Sequence, residues 1–571
     1  MIHFKKRVFK YAFWWLLFLA PFFYISYGFA NLIADNYLGI GEIYYHWEKA
    51  IPFLAWTIIP YWCLNIFYGL SLFIQKNKGG VSRLAGRYLT AQLIAVACFI
   101  LFPLKISFIK PETVGLFGQL FDHLAAFDKP YNQAPSLHIA LLTIVWDLWR
   151  KRLTGIWLVL WHIFCALIAI SVLTTYQHHF IDIPTGFLLG VFCLWLFPEE
   201  GALPFSNFKR IDNLRQKNIA LIYFGLSLIC GNIAYWLFAD GWGLLALWPM
   251  VSFALLGYGY IGAGVKVFQK SQDGNVSFAS LVIFVPYRLC ALINSRLWTR
   301  NIAPYNEIAG NIYLGRFPSF KQVKRFSKII DLTSEFHKPM GTKHWYSFPM
   351  LDLVKPDIKI ASKAVAAIGD NPQEPVLVCC ALGMQRSAVV LGKYLCEKNY
   401  TDDMASAKVL LQKHRPVVFE TNERRVSGFS FAAAAFYCFF NIILVALFIW
   451  PLYDYMVNYT YVFDQLYGME FFLLLMIYGY AFFLILRLVF DAWLFFKQRH
   501  AATIAEGLQN IDRVLLRAAL RAAPPSNDVT QRMNNIYLMT KSLWVSVSIG
   551  FIGIAGLMFY RSLIKAFLWL M

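Results

Sequence analysis

The chain is short of charge. Only 15% of its 571 residues are Asp, Glu, Lys or Arg, against about 25% in an ordinary soluble domain, so the composition asks for a bilayer rather than a larger core. It also lacks a disulfide-like cysteine framework: the ten cysteines are scattered, several inside apolar runs, with only Cys379 and Cys380 adjacent. Zinc-finger spacing, basic repeats, internal repeats and low-complexity segments are missing as well. The net charge of +20 therefore does not argue for nucleic acid, and no nucleic-acid partner is expected. No small-residue cleavage site follows Lys5, Lys6, Arg7 and Lys10, so the first apolar run is expected to be a membrane helix and not a cleaved leader.

What is abundant is apolar sequence: 59% hydrophobic and 18% aromatic residues. Apolar runs lie near residues 11–33, 51–75, 88–109, 136–149, 153–174, 180–197, 218–237 and 240–264, several close to the roughly 20 residues that cross a hydrocarbon core. Basic residues follow every second run: Lys76, Lys78, Arg83 and Arg87; Arg150, Lys151 and Arg152; Lys209, Arg210, Arg215 and Lys217. That alternation is what the positive-inside rule predicts, with the amino terminus inside. The stretch 277–299 is apolar but interrupted by Pro286, Arg288, Asn294 and Arg296, which predicts an interfacial or re-entrant helix. Residues 300–428 read as an α/β domain, with β-rich runs at Ile312–Leu314, Ile329–Leu332 and Val376–Val378 and helical patterns over Ile358–Ile368 and Ser387–Glu397. An even number of preceding spans puts that domain in the cytoplasm. Further apolar runs follow near 430–453, 469–492 and 542–560, with a polar helical stretch over 499–540.

The sharpest local signal is the run from Val376 to Ser387, VLVCCALGMQRS. A β-run enters a cysteine, then a glycine-bearing loop, then an arginine that opens a helix. Such a loop aims backbone N–H groups at one point and forms an anion nest. The helix dipole and Arg386 favour the nucleophilic thiolate of Cys380. Arg386 can also fork two phosphate oxygens and stabilise the transferring phosphoryl group, and Ser387 can hydrogen-bond the departing thiolate. The loop residues Ala381, Leu382, Gly383, Met384 and Gln385 would cradle the phosphate. They carry no charge, which suits a substrate with few phosphates or one presented by the membrane.

Cys380, Arg386 and Ser387 satisfy the Cys-x5-Arg-Ser/Thr signature of cysteine-dependent phosphatases. The flanking segments resemble the compact dual-specificity phosphatase family: Asn311–Gly315 its opening strand, Ile329–Thr333 its next core strand, Pro349–Asp352 its general-acid loop. That resemblance, over roughly 120 residues, makes Asp352 the proton donor to the leaving oxygen. The family usually has histidine before the nucleophile, and Cys379 stands there. Asp357 follows Pro356 and is expected to cap the next helix. The guanidinium and the nest supply the positive field, so no metal or other cofactor is called for.

A second constellation lies at the ends of the early helices. Pro135-Ser136-Leu137-His138 opens one run, and His178 with Asp182 four residues later opens another. A histidine and an aspartate one helical turn apart share a face; the carboxylate can set the imidazole tautomer and stabilise its cation. Ionisable groups at membrane depth are costly and usually functional. These residues resemble the type 2 phosphatidic-acid phosphatase superfamily, which also includes sphingolipid phosphotransferases. By that resemblance His178 accepts the phosphoryl group, His138 protonates the leaving group, Asp182 orients His178, and Ser136, Lys105 and Lys110 bind phosphate. Leu137 stands where glycine is usual and Val172 where the motif has arginine, although Ser171 keeps its spacing. His179 is expected to be a spectator, and Asn132 and Gln133 to bind either a head group or the loop itself.

The expected architecture is multi-domain: a polytopic α-helical membrane bundle plus a cytoplasmic α/β dual-specificity phosphatase-like domain. Residues 1–217 form the six-helix lipid-phosphatase-like part and 218–299 two more helices with an interfacial segment. Residues 300–428 form the cysteine-dependent domain, and 429–571 further membrane helices with a cytoplasmic helical insert. The expected function is a membrane-bound phosphatase of lipid phosphates with a second, histidine-dependent lipid phosphatase or phosphotransferase site. Its partners are membrane lipids and a phosphorylated lipid or protein. The fusion resembles bacterial examples, which suggests an inner membrane. Two readings stand beside it: a membrane-anchored regulatory protein phosphatase whose bundle only senses or binds lipid, and a transporter or scaffold with two decayed sites, as the departures at Leu137, Val172 and Cys379 would allow.

Overall fold

The computed structural model describes residues 2–419, apart from 36–39, 207, 210, 212, 239–240 and 371. The apolar runs expected after residue 428, and the helical insert between them, lie outside the described residues. The described chain is mostly helical up to residue 298 and carries a small mixed sheet beyond it.

The helices run in chain order as α1 (Ile2–Asp35), α2 (Ile58–Phe73), α3 (Lys78–Leu101), α4 (Gly115–Ala125), α5 (Leu137–Arg150), α6 (Gly155–Thr174), α7 (Asp182–Leu196), α8 (Leu214–Trp236) and α9 (Leu247–Tyr258). Among the described residues, six stretches are long and apolar enough to cross a membrane: Lys6–Asp35, Ala55–Phe73, Lys78–Leu101, Gly155–Thr174, Arg215–Trp236 and Trp242–Phe268. The other two apolar runs behave differently. α5 has 14 residues and α7 has 15, about 21–23 Å at 1.5 Å per residue, short of a hydrocarbon core of about 30 Å. Each begins at a polar residue that stops the apolar run. Ser136 caps α5 by accepting from Ile139 N at 3.3 Å, and Asp182 opens α7.

α5 and α7 pack tightly against each other because two glycines face the contact. A Cβ on Gly186 would lie 2.4 Å from the Ser136 carbonyl oxygen, and one on Gly190 2.7 Å from that of Ala140. Small residues at a helix crossing let backbones approach closely. Here they bring the start of α7 beside the start of α5, where Ser136 N donates to the Asp182 carbonyl at 3.2 Å.

Beyond the bundle, α10 (Phe278–Ile283) and α11 (Val285–Trp298) occupy the stretch expected to be interfacial. α11 leaves Leu289, Ile293 and Leu297 exposed while burying Tyr287 and Ser295. Five strands follow: β1 (Tyr305–Ala309), β2 (Ile312–Arg316), β3 (Lys328–Thr333), β4 (His344–Met350) and β5 (Val376–Cys380), with the short α12 (Phe320–Val323) between β2 and β3. Their order is β1-β2-β5-β3-β4. β1 pairs antiparallel with β2, and the remaining pairs are parallel. β5 lies at the centre and is buried along its whole length, which is why its sequence is an unbroken apolar run and not an alternating one. On one face, Leu314, Ile330 and Val378 pack against Ala364, Val365, Val390 and Leu391 of α13 (Ile358–Ile368) and α14 (Arg386–Glu397), with α15 (Met404–Gln412) beside them. On the other, Tyr313, Ile329, Leu377 and Cys379 meet Phe326 and Trp345, with Ala291 and Trp298 of α11 packed on them. Each such fully buried aliphatic side chain contributes about 1.5–3 kcal/mol.

Candidate functional site

Successive residues of a strand point to opposite faces, and this separates the two adjacent cysteines. Cys379 is fully buried in the α11-side core, where burial pushes its thiol well above the ordinary value. Cys380 ends β5, on the α14 side. Both are free thiols.

From Cys380 the chain turns through five residues into α14 at Arg386. The turn depends on Gly383, whose φ is +76°. A Cβ there would also sit 2.4 Å from the Gly315 carbonyl carbon, so this position needs glycine both for its backbone conformation and for the close approach of β2. Three of the loop carbonyls are satisfied from outside the loop. Ser295 Oγ donates to the Ala381 oxygen at 2.5 Å, Arg415 Nη2 to that of Leu382 at 3.0 Å, and Val418 N to that of Met384 at 2.9 Å. The sulfur of Cys380 accepts from Gly383 N and from Ser387 Oγ, each at 3.2 Å. Burial works against a charged sulfur here, yet the Arg386 guanidinium and the Ser387 hydroxyl and N–H hold the Cys380 thiol below its ordinary value.

Arg386 is fully buried and tightly held. Nη1 and Nη2 fork the Glu335 carboxylate at 3.2 and 3.0 Å, Nη1 also donates to the Met350 carbonyl at 2.9 Å, and Nη2 lies 3.3 Å from Asp352 Oδ1. Its Nε has no hydrogen-bond partner among the described residues. Glu335 is oriented by Ser334, whose N–H and hydroxyl donate to it at 2.9 and 3.1 Å. Burial would raise the Glu335 carboxyl, but Arg386 keeps it below the ordinary carboxylate range. Cys380, Arg386, Ser387, Asp352 and the loop 381–385 thus come together. Asp357 stands apart and caps α13, accepting from Lys359 N at 2.7 Å.

The second constellation assembles between α5, α6 and α7. His178 Nε2 lies 3.1 Å from Ser136 Oγ, and its Nδ1 lies 3.1 Å from Asp182 Oδ2. All three residues are buried. His138 stacks on Tyr61, ring centroids 4.0 Å apart, and its Nε2 has no partner among the described residues.

Lys105 forms an ion pair with Glu42 at 3.0 Å. Ser171 bonds back into its own helix, donating to the Ile168 carbonyl at 2.7 Å. Val172 is buried in the bundle core, and its carbonyl accepts from His178 N at 3.0 Å; it fixes the histidine through its backbone. Burial lowers the Lys110 ammonium, and it is opposed by Asp128, a carboxyl that feels the charges of both Lys110 and His178. His179 accepts from Ser107 N at 3.0 Å and meets Glu48 at 3.3 Å, a loop-binding role. Asn132 and Gln133 donate to Asn31 Oδ1 of α1 at 2.6 Å and to the Gln177 carbonyl at 3.3 Å, while their own amide oxygens have no hydrogen-bond partner among the described residues.

Sequence reading missed Glu335, Arg415 and Ser295 at the sulfur site and Tyr61 at the imidazole site. No local spacing marks them. The one available signal for Glu335 is an acidic residue directly after a predicted core strand, close to where an essential arginine must be held. No family model matches the chain, and no curated protein matches it.

Proposed function

We propose that the chain is a membrane phosphatase whose 300–419 region, resembling the dual-specificity phosphatases, hydrolyses phosphate monoesters through Cys380. The observation that carries this reading is the sulfur of Cys380 held by Gly383 N–H and Ser387 Oγ–H beside a buried guanidinium with one free N–H. The thiolate attacks phosphorus, an S–P bond forms, and the ester P–O bond breaks. Asp352 gives its proton to the leaving oxygen, which departs as an alcohol or phenol. Water then attacks the phosphocysteine, Asp352 takes a proton from it, and inorganic phosphate leaves with the thiolate restored beside Ser387. Arg386 binds the equatorial oxygens throughout, the term that usually dominates phosphoryl transfer. The uncharged loop and the apolar helices before it favour a lipid monophosphate in the leaflet that the 300–419 region faces, which the basic loops mark as cytoplasmic.

The bundle supports a second reaction on the same class of substrate. With Asp182 accepting from Nδ1, His178 presents Nε2 to phosphorus, and the unpartnered Nε2 of His138 is available to protonate a leaving group. Hydrolysis and transfer to a lipid alcohol share this geometry.

Two experiments test the pair. Purified full-length protein is expected to release phosphate from a small aryl phosphate in the presence of EDTA; activity that required an added divalent ion would contradict the guanidinium-and-nest reading. His178→Ala is expected to remove all histidine-dependent lipid turnover, a fall on the order of 10³-fold or more for a lost nucleophile, while Cys380-dependent aryl phosphatase activity stays. Radiolabelled lipid extracts from cells carrying that variant would show the accumulated substrate. An unchanged pattern of phospholipids and lipid phosphates would remove the bundle from the chemistry.

A further inference from the structure

The segment bearing Asp352 is not held by its own sheet alone. Leu351 is buried in the hydrophobic core of the helical bundle, and Val354 packs against the same core. Two hydrogen bonds from bundle residues fasten the backbone between them. Tyr260 Oη donates to the Asp352 carbonyl at 3.0 Å, and Arg215 Nε donates to the Leu353 carbonyl at 2.8 Å. Tyr260 lies in the irregular turn Gly259–Ala263 that follows α9, and Arg215 in the first turn of α8. Leu353 is in the left-handed region at φ +61°, a conformation that a branched side chain adopts only when its surroundings impose it. The surroundings here are the bundle's. With these contacts made, the Asp352 carboxylate reaches 3.3 Å from Arg386 Nη2.

We infer that Tyr260 and Arg215 are positioning residues for the proton donor Asp352, so that the helical bundle is a working part of the cysteine site and not only its anchor. Neither touches the sulfur or Arg386 through any hydrogen bond found among the described residues; both act through two consecutive carbonyls. The inference rests on the reading of Cys380 and Asp352 as nucleophile and acid. It assigns the bundle a role in the cytoplasmic reaction that is independent of His178.

Leaving-group chemistry isolates a misplaced acid from a damaged fold. A nitrophenolate departs without a proton, whereas an alkoxide needs one. The test compares kcat/KM, which reports P–O cleavage and not the phosphocysteine hydrolysis common to both substrates, on p-nitrophenyl phosphate and on 2-phenylethyl phosphate for full-length protein in lipid nanodiscs, as parent, Tyr260→Phe, Arg215→Gln, the double variant and Asp352→Asn. Well-placed general acids contribute about 10²–10⁴-fold, so the alkyl-to-aryl ratio of kcat/KM is expected to fall about tenfold or more in the double variant. In the Asp352→Asn background the same two changes should lower that ratio no further, because the group they position is gone. A ratio that stays put, whether because both substrates lose equally or because neither loses, overturns the positioning role. Tyr260→Phe keeps the ring in place and guards against reading misfolding as mispositioning. Cys380→Ser is assayed alongside: activity surviving there overturns the sulfur-site reading itself, whereas an inactive Cys380→Ser with an unmoved ratio overturns only the role of Tyr260 and Arg215.

Discussion

Cys380→Ser is expected to lower phosphate release from aryl phosphates by on the order of 10⁴-fold or more, with no matching loss of stability. The two side chains are nearly the same size, and a hydroxyl at that position keeps the hydrogen bonds from Gly383 N and Ser387 Oγ. Phosphate binding by the nest should therefore survive. What disappears is the anion: a serine hydroxyl stays protonated where the surroundings of Cys380 favour a thiolate. Steady-state phosphate release beside a thermal unfolding curve checks both halves of this expectation. A variant that retains a tenth of the parent rate would mean that phosphorus is attacked from somewhere else.

Arg386→Lys is the second large effect, and it separates charge from geometry. Lysine preserves the positive charge beside Cys380. It cannot reproduce a fork that meets both oxygens of Glu335, the Met350 carbonyl and Asp352 Oδ1 while keeping another N–H free. Guanidinium and ammonium are not interchangeable at such sites. The expected fall in kcat is about 10²–10³-fold, the usual cost of one donor to a developing oxyanion. Glu335 is left half-paired in a buried position, so stability should also fall, by about 1–3 kcal/mol. Turnover within tenfold of the parent would show that the side chain holds Glu335 and little else.

The parts of the sulfur site that lie in one stretch of chain were readable from it. An apolar run, a cysteine, a glycine and an arginine followed by helical periodicity became β5, the loop and α14, because strand, turn and helix are each dictated by neighbours in sequence. Asp357 and α13 were readable for the same reason: an N-cap and its helix are local. Glu335, Arg415, Ser295, Tyr260 and Arg215 were not, since each meets the site through tertiary contacts across long stretches of sequence. β1 and β4 were missed because edge strands carry weak patterns. β1 contains Asn306 and Glu307, and β4 contains Pro349 and alternates only in part. In the bundle, the eight apolar runs gave helices, and the fourth and sixth runs, which became α5 and α7, were already the short ones in the sequence. The Lys105–Glu42 ion pair is a contact that only the fold reveals.

The most direct measurement is the rate at which iodoacetate alkylates Cys380, followed by peptide mapping from about pH 5 to pH 10, with and without inorganic phosphate. A thiol that Arg386 and Ser387 hold below its ordinary value becomes an anion at a lower pH than a free thiol does. Alkylation is therefore expected to be half-maximal below the ordinary thiol value of about 8.5, and phosphate in the nest should slow it. A rate that rises only above that value and ignores phosphate would contradict a thiolate poised under a bound phosphoryl group.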